Sequence, residues 1–322
     1  MKTFSSPFFW LVLIVVGGLS LVPIVTNNAS LREDMFLMLM LITLASSVNI
    51  IMGYTGYVSF GHIVYFGIGG YVSFYLMQNF ETHVFLAALV GGLAASLMAL
   101  LIGIPVLRLR GAYFALATIG INEAARAFIS NFSPFGGSIG MLFNFSAYEP
   151  YGGGKSAQQL AYAAMIVIAL LTIATSFIIK KNKFGLGLMA IREDQDAAMV
   201  LGINPLRAKV LTYTISAFFP GLAGTFFFFK NGTILPDVAF ELTRSIEALV
   251  MVMLGGYGTV TGPIVGAVVY ERLRGLLITD PTLSKAHLVI AGALLLIIVL
   301  FVTAGVIGWL RQRFPAVRRY LE

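Results

Sequence analysis

Long apolar runs alternate with short polar segments along most of the chain. Runs long enough to cross a bilayer, or nearly so, cover 8–25, 35–52, 63–78, 84–106, 112–130, 159–179, 210–229, 245–260, 262–278 and 286–308. A helix of about 20 apolar residues spans the hydrocarbon core, so the pattern predicts an all-α integral membrane protein of about ten transmembrane helices, folded as one domain over residues 1–322. The first run, Phe8 to Val25, reaches roughly 27 Å as a helix and is not closely followed by a small-x-small cleavage site, so it is expected to stay in the mature chain.

Two of these runs are interrupted in a way that apolar helices usually avoid. The stretch LGGYGTVTGP, Leu254 to Pro263, holds four glycines and a proline between the apolar runs SIEALVMVM and IVGAVVY. Glycine and proline weaken helices, and freed backbone groups in a bilayer are tolerated only where protein or a water-filled cavity satisfies them. A second stretch, GYVSFGHIV from Gly56 to Val64, matches GYGTVTGPIV from Gly256 to Val265 once one extra residue is allowed. Paired glycine-interrupted segments in two halves are the pattern expected where a transporter places its substrate path. The breaks at Gly53, Gly56 and Gly61 and at Gly255, Gly256 and Gly262 are therefore read as cavity-lining, against the alternative that the glycines only permit tight helix packing.

Composition supports the membrane class: 58% of the 322 residues are hydrophobic and 11% are charged. No cysteine is present, which excludes disulfides, thiol catalysis and Cys-ligated metal centres. The net charge of +7 fits the excess of Lys and Arg in cytoplasmic loops of membrane proteins, and no nucleic-acid partner is expected. With the N-terminus inside, the inner segments carry thirteen of the 21 basic residues (Lys2, Arg108, Arg110, Lys180, Lys181, Lys183, Arg192, Arg207, Lys209, Arg311, Arg313, Arg318 and Arg319) and the outer loops five (Arg32, Lys155, Lys230, Arg244 and Lys285). This places both termini in the cytoplasm; Arg272 and Arg274, near an outward end, fit it poorly.

The two longest polar segments differ in character. The outer one, 131–158, is rich in Gly, Ser and aromatics and reads as a loop or short lid. The inner one, 180–209, contains LMAIREDQDAAMVLG, in which Leu188, Ile191, Ala198 and Leu201 form an apolar stripe with charges opposite, ending at Gly202 before Pro205. It predicts an amphipathic helix at the cytoplasmic surface, suited to docking a soluble partner.

Catalytic signatures are weak. GGGKS, Gly152 to Ser156, lacks the first glycine of a phosphate loop, where Glu149 stands, and no strand precedes it. His62, His83 and His287 lack metal-ligand spacing and read as packed or interfacial residues, so neither a metal site nor an enzyme is expected. The Asn-x-Ser/Thr triplets at Asn28, Asn131, Asn144 and Asn231 are read as coincidental. Ionisable residues inside spans are more informative. Glu123 and Arg126 lie three apart on one helix face, and Glu247 opens the second broken run. Such groups usually face the protein interior or a water-filled path, although an i, i+3 pair can also neutralise itself. Asn49, just before the first break, joins them as a path candidate, as do Tyr57, Ser59 and Thr259 within the breaks.

Several ordered segments resemble the LivM-type permeases of branched-chain amino acid ABC importers: NIIMGYTGYVSFGHIVYFGIGGY, LRLRGAYFALATIGINEAAR, FGLGLMAIREDQDAAMVLGINPLRAKVLTYTISAFFPGLAG and SIEALVMVMLGGYGTVTGPIVGAVV, together spanning roughly residues 45–275. Tyr57 departs from the pattern, in which glutamine is usual. The resemblance implies an ABC importer permease fold in a bacterial inner membrane. It also implies a homologous second permease, two cytoplasmic ATPase subunits that use ATP, and an extracytoplasmic binding protein. This chain itself would bind no cofactor and would contact membrane lipid. The inner segment becomes the coupling segment, with Gly187, Ala190, Arg192, Glu193, Asp194, Ala198 and Gly202 as its expected ATPase contacts. Urea, short amides or a wider range of amino acids are alternative substrates within the family, and a stand-alone ion-coupled carrier is the alternative outside it.

Overall fold

The computed structural model describes residues 7–143, 145–279 and 305. Its helices follow the hydrophobic runs closely. They are α1 (Pro7–Val25), α2 (Ala29–Thr55), α3 (Ile63–Phe80), α4 (Val84–Val106), α5 (Ala112–Asn131) and α6 (Gly154–Lys181), then α7 (Lys183–Glu193), α8 (Gln195–Val200), α9 (Pro205–Asn231), α10 (Pro236–Ala239), α11 (Leu242–Gly255) and α12 (Gly262–Thr279). Two two-residue strands, β1 (Met141–Leu142) and β2 (Thr233–Ile234), pair antiparallel. Nine of the ten expected runs are thus helical; of the tenth, 286–308, only Gly305 lies within the described residues. The protein is an all-α membrane protein. Four helices, α2, α4, α6 and α9, are long and apolar enough to cross a membrane by length and composition alone. At 14 residues, α11 extends only about 21 Å, short of a straight crossing.

Local sequence explains where the elements start. The Asn28 side chain accepts from the Leu31 amide at the start of α2, and Asn204 accepts from the Arg207 amide at the start of α9, where Pro205 adds its fixed φ. The centre of the molecule is α2, buried from Leu39 to Thr55, together with the tightly packed α3, α4 and α9. Small residues make the latter seam possible: a Cβ on Gly221 would lie 2.7 Å from Ala95 Cβ and 3.0 Å from Gly92 Cα. Without a hydrophobic force between helices in lipid, such close backbone approach and the van der Waals contact it allows hold the bundle together.

The outer segment is more structured than a plain loop. Short 3-10 turns at Ser133–Phe135, Gly137–Ile139 and Phe145–Tyr151 surround β1, and its last five residues already belong to α6. Tyr148 Oη donates to the Phe229 carbonyl at 2.7 Å, pinning the segment to the end of α9, and burial pushes its phenol pKa up. The GGGKS stretch forms the entry to α6 and follows the 3-10 turn Phe145–Tyr151.

The inner segment departs from expectation. Instead of one helix, it forms α7 and α8, separated at Asp194, whose extended backbone restarts the helix and whose side chain accepts from the Asp196 and Ala197 amides. The restart changes the helical phase. Leu188, Ile191 and Ala198 are buried with Ile50, Tyr54 and Ile179 in a small core under α2 and α6, but Leu201, beyond the end of α8, is 78% exposed.

Candidate functional site

Two polar regions stand out, one beside α7 and α8 and one on α5. The first brings the two glycine breaks together. α2 ends at Gly56 with φ +77°, and α11 ends at Gly256 with φ +115°; each break then turns into the next helix, α3 or α12. Asn49, fully buried, bridges them: its Nδ2 donates to the Thr259 carbonyl at 2.9 Å, and its Oδ1 accepts from the Gly258 amide at 2.9 Å. A Cβ on Gly53 would lie 2.6 Å from the Gly258 nitrogen, so glycine there allows the backbones to touch. Thr259 Oγ1 donates to the Gly256 carbonyl and accepts from the Gly262 amide, closing the second turn on itself. Gly61, Gly255 and Gly262 are buried, while Gly56 is exposed and Tyr57 half-buried. In this conformation the breaks pack against each other, and several of their freed backbone groups, among them the Phe60, Gly258 and Gly262 amides and the Gly53 and Thr259 carbonyls, are satisfied by side chains.

Arg192 reaches into this assembly from α7. Its Nη1 donates to the Gly53 carbonyl at 2.9 Å, its guanidinium carbon lies 5.7 Å from the Tyr257 ring centroid, and Nη2 pairs with Glu193 at 2.9 Å. Beside it, Lys209 is buried at 2% exposure, and its Nζ donates to Tyr57 Oη at 2.7 Å, to the Leu107 carbonyl at 2.9 Å and to Gln195 Oε1 at 3.1 Å. Tyr57 Oη also donates to Gln195 Oε1, so the residue that departs from the family pattern supplies a polar contact of its own. Arg110 forms a forked pair with Asp196, whose oxygens lie 3.0 and 3.3 Å from its two terminal nitrogens. The charges of this segment, expected as contacts to a partner, also engage groups within the chain: Glu193 pairs with Arg192, Asp194 caps α8 and Asp196 pairs with Arg110. A cavity of about 520 Å³ opens beside them, with Arg108, Arg110, Met199, Gly202 and Lys209 among its lining residues.

Further along, Ser59 lies 3.4 Å from Tyr213 Oη, and His62 Nε2 sits 3.1 Å from Ser216 Oγ, its ring edge-on to Tyr65 and Tyr213. Ser245 Oγ accepts the otherwise orphaned Ile63 amide at the start of α3. Among the described residues, no group of three His, Cys, Asp or Glu side chains could hold a metal ion.

The second region lies on α5. Arg126 pairs with Glu123 at 2.8 Å and also with Asp237 of α10 at 2.8 Å, and all three side chains remain at least 43% exposed. Glu247 lies elsewhere, between α11 and α12, where Tyr270 Oη donates to it at 3.1 Å and Arg274 lies 3.9 Å away. Lys209 and Asp237 were missed as site residues. Lys209 counted as a loop charge, although its place one turn into α9, against an apolar run, was a signal. Asp237 had none, because only the fold brings α10 to α5.

Gly187 and Ala190 are half-buried, whereas Gly202, at φ +84°, is exposed with open space around it. Ala198 is 1% exposed and packs inward, so a large side chain there would break the chain's own core before it met a partner.

The family described as branched-chain amino acid transport system / permease component matches residues 33–310. The high-affinity branched-chain amino acid transport system permease protein LivM of Escherichia coli (strain K12) is 28% identical over 296 residues, covering 84% of this chain and 68% of that protein. The permease protein LivH of the corresponding system in Salmonella typhimurium is 27% identical over 290 residues, covering 82% and 90%. The inner membrane ABC transporter permease protein YjfF of Escherichia coli (strain K12) is 29% identical over 175 residues, about half of each chain. No solved structure matches. The helical bundle, the paired breaks and a match over most of its length give one conclusion: this chain belongs to the family of branched-chain amino acid transport system permease components.

Proposed function

We propose that the chain is a membrane-spanning subunit of an ATP-driven importer for branched-chain or other hydrophobic amino acids. It works with a second, homologous permease, two cytoplasmic ATPase subunits and an extracytoplasmic binding protein, and both of its termini face the cytoplasm. The similarity to both LivM and LivH, two permease proteins named for the same kind of system, supports the pairing. The observation that carries the ATPase reading is the end of α8. Val200 and Leu201 are 87% and 78% exposed on an element whose buried face is anchored under α2 and α6. An apolar turn held out on a rigid base is a natural anchor for a soluble partner. The exposed Glu123, Arg126 and Asp237 cluster offers both signs of charge, as the ammonium and carboxylate of an amino acid crossing that face would require.

The test is co-purification of the ATPase subunits with the assembled complex in nanodiscs. Val200→Asp with Leu201→Asp is expected to lower their recovery strongly while leaving the membrane subunits intact. Undiminished recovery would move the dock away from α8.

A further inference from the structure

The side chain of Arg192 is not held out into solvent, where a dock would use it. It runs inward between the two breaks, and both are shaped around it. Gly56 and Gly258 have φ of +77° and +74°, and a Cβ on them would lie 3.1 Å from Arg192 Cγ and 2.9 Å from Arg192 Nη1. The guanidinium holds the last turn of α2 through the Gly53 carbonyl and flanks Tyr257 in the other break, while Asn49 locks the two breaks to each other. A displacement of α7 therefore cannot leave the end of α2 behind without breaking a charge-assisted hydrogen bond to a backbone carbonyl in the unpaired last turn of that helix, and Asn49 ties the same helix end to the second break.

We propose that Arg192 is a transmission pin, a positioning residue that carries movement of the α7–α8 segment into both glycine breaks at once. This rests on the reading of α7 and α8 as the ATPase dock, and it assigns Arg192 to the inward side of that element. The dock is formed by Val200 and Leu201; the pin converts its movement into rearrangement of the breaks.

The experiment uses the complete complex in proteoliposomes, with three readouts: ATPase recovery, ATP hydrolysis stimulated by loaded binding protein, and amino acid uptake. Arg192→Met keeps the length of the stem and removes the donors. It should retain ATPase recovery and hydrolysis while uptake per ATP falls at least about tenfold, the loss expected for one charged hydrogen bond. Arg192→Lys, which keeps a donor for the Gly53 carbonyl, should recover part of the uptake. Uptake per ATP unchanged in Arg192→Met, or ATPase binding lost with it, would overturn the pin. Failure of the dock reading shows separately, as undiminished ATPase recovery by the chain carrying Val200→Asp and Leu201→Asp.

A covalent replacement gives an independent check. The chain has no cysteine, and a Cβ on Gly56 would lie 4.0 Å from Arg192 Cβ, within the span of a disulfide. Relative to Gly56→Cys alone, the pair Gly56→Cys with Arg192→Cys should couple transport when oxidised with copper phenanthroline and uncouple it when reduced with dithiothreitol. Transport blocked by oxidation and restored by reduction would show that the segment parts from the break during the cycle, and the pin would be wrong.

Discussion

The molecule carries two polar regions of opposite design. Beside α7 and α8, Asn49 and Lys209 are buried and Arg192 is half-buried; Asn49 bonds to backbone groups of the second break, and Lys209 and Arg192 each donate to a backbone carbonyl as well as to side chains. Where α5 meets α10, Glu123, Arg126 and Asp237 pair with one another and stay substantially exposed. The first arrangement fixes backbone that has left its helix, since a buried polar group must find a partner within the protein. The second holds charge at a surface where a passing solute or another subunit can compete for it. One region therefore fixes backbone, and the other leaves its charges open to competing partners.

Breaking the enclosed region should have the largest effect on stability. Asn49→Leu leaves the Thr259 carbonyl and the Gly258 amide unpaired, at about 1 to 3 kcal/mol for each orphaned group, and adds bulk against Gly53. A marked drop in melting temperature in detergent is the expected outcome. Lys209→Met should come next. It orphans the Leu107 carbonyl but also removes a buried cation, so the loss should be nearer about 1 to 2 kcal/mol. Because Tyr57 and Lys209 share Gln195, Tyr57→Phe combined with Lys209→Met should cost less than the sum of the single changes, and the double-mutant cycle measures this. Gly56→Ala should cost about 1 to 2 kcal/mol through its left-handed backbone.

The smallest effect on stability is predicted for the open cluster. Glu123→Ala should leave the melting temperature nearly unchanged while lowering uptake, because both carboxylates around Arg126 are solvated in the isolated chain. The double change Glu123→Ala with Arg126→Ala sharpens the contrast. If the pair serves only to neutralise itself, the double change restores uptake; if it lines the path, uptake stays low.

Much of this was readable in the sequence. The long apolar runs mark helices because nothing else satisfies the backbone in lipid, and Asn49 stood out as a polar residue before a break. The break-to-break resemblance between Gly56–Val64 and Gly256–Val265 appears in three dimensions as two helix ends packed face to face. The inner segment was harder. Its apolar stripe assumed one continuous helix, whereas Asp194 capped a new one and turned Leu201 outward. The direction of Arg192 could not be read either, because an arginine at an amphipathic boundary looks solvated unless the fold supplies a carbonyl such as that of Gly53. Asp237 was invisible for the same reason: its partner on α5 lies 111 residues away.

The central claim is that this chain is powered by separate ATPase subunits rather than by an ion gradient of its own. The direct measurement is uptake of radiolabelled leucine into proteoliposomes holding either the complete assembly or this chain alone. The account predicts uptake by the assembly that requires both ATP and the binding protein, and none by the chain alone under a proton or sodium gradient. Gradient-driven uptake by the chain alone would contradict it.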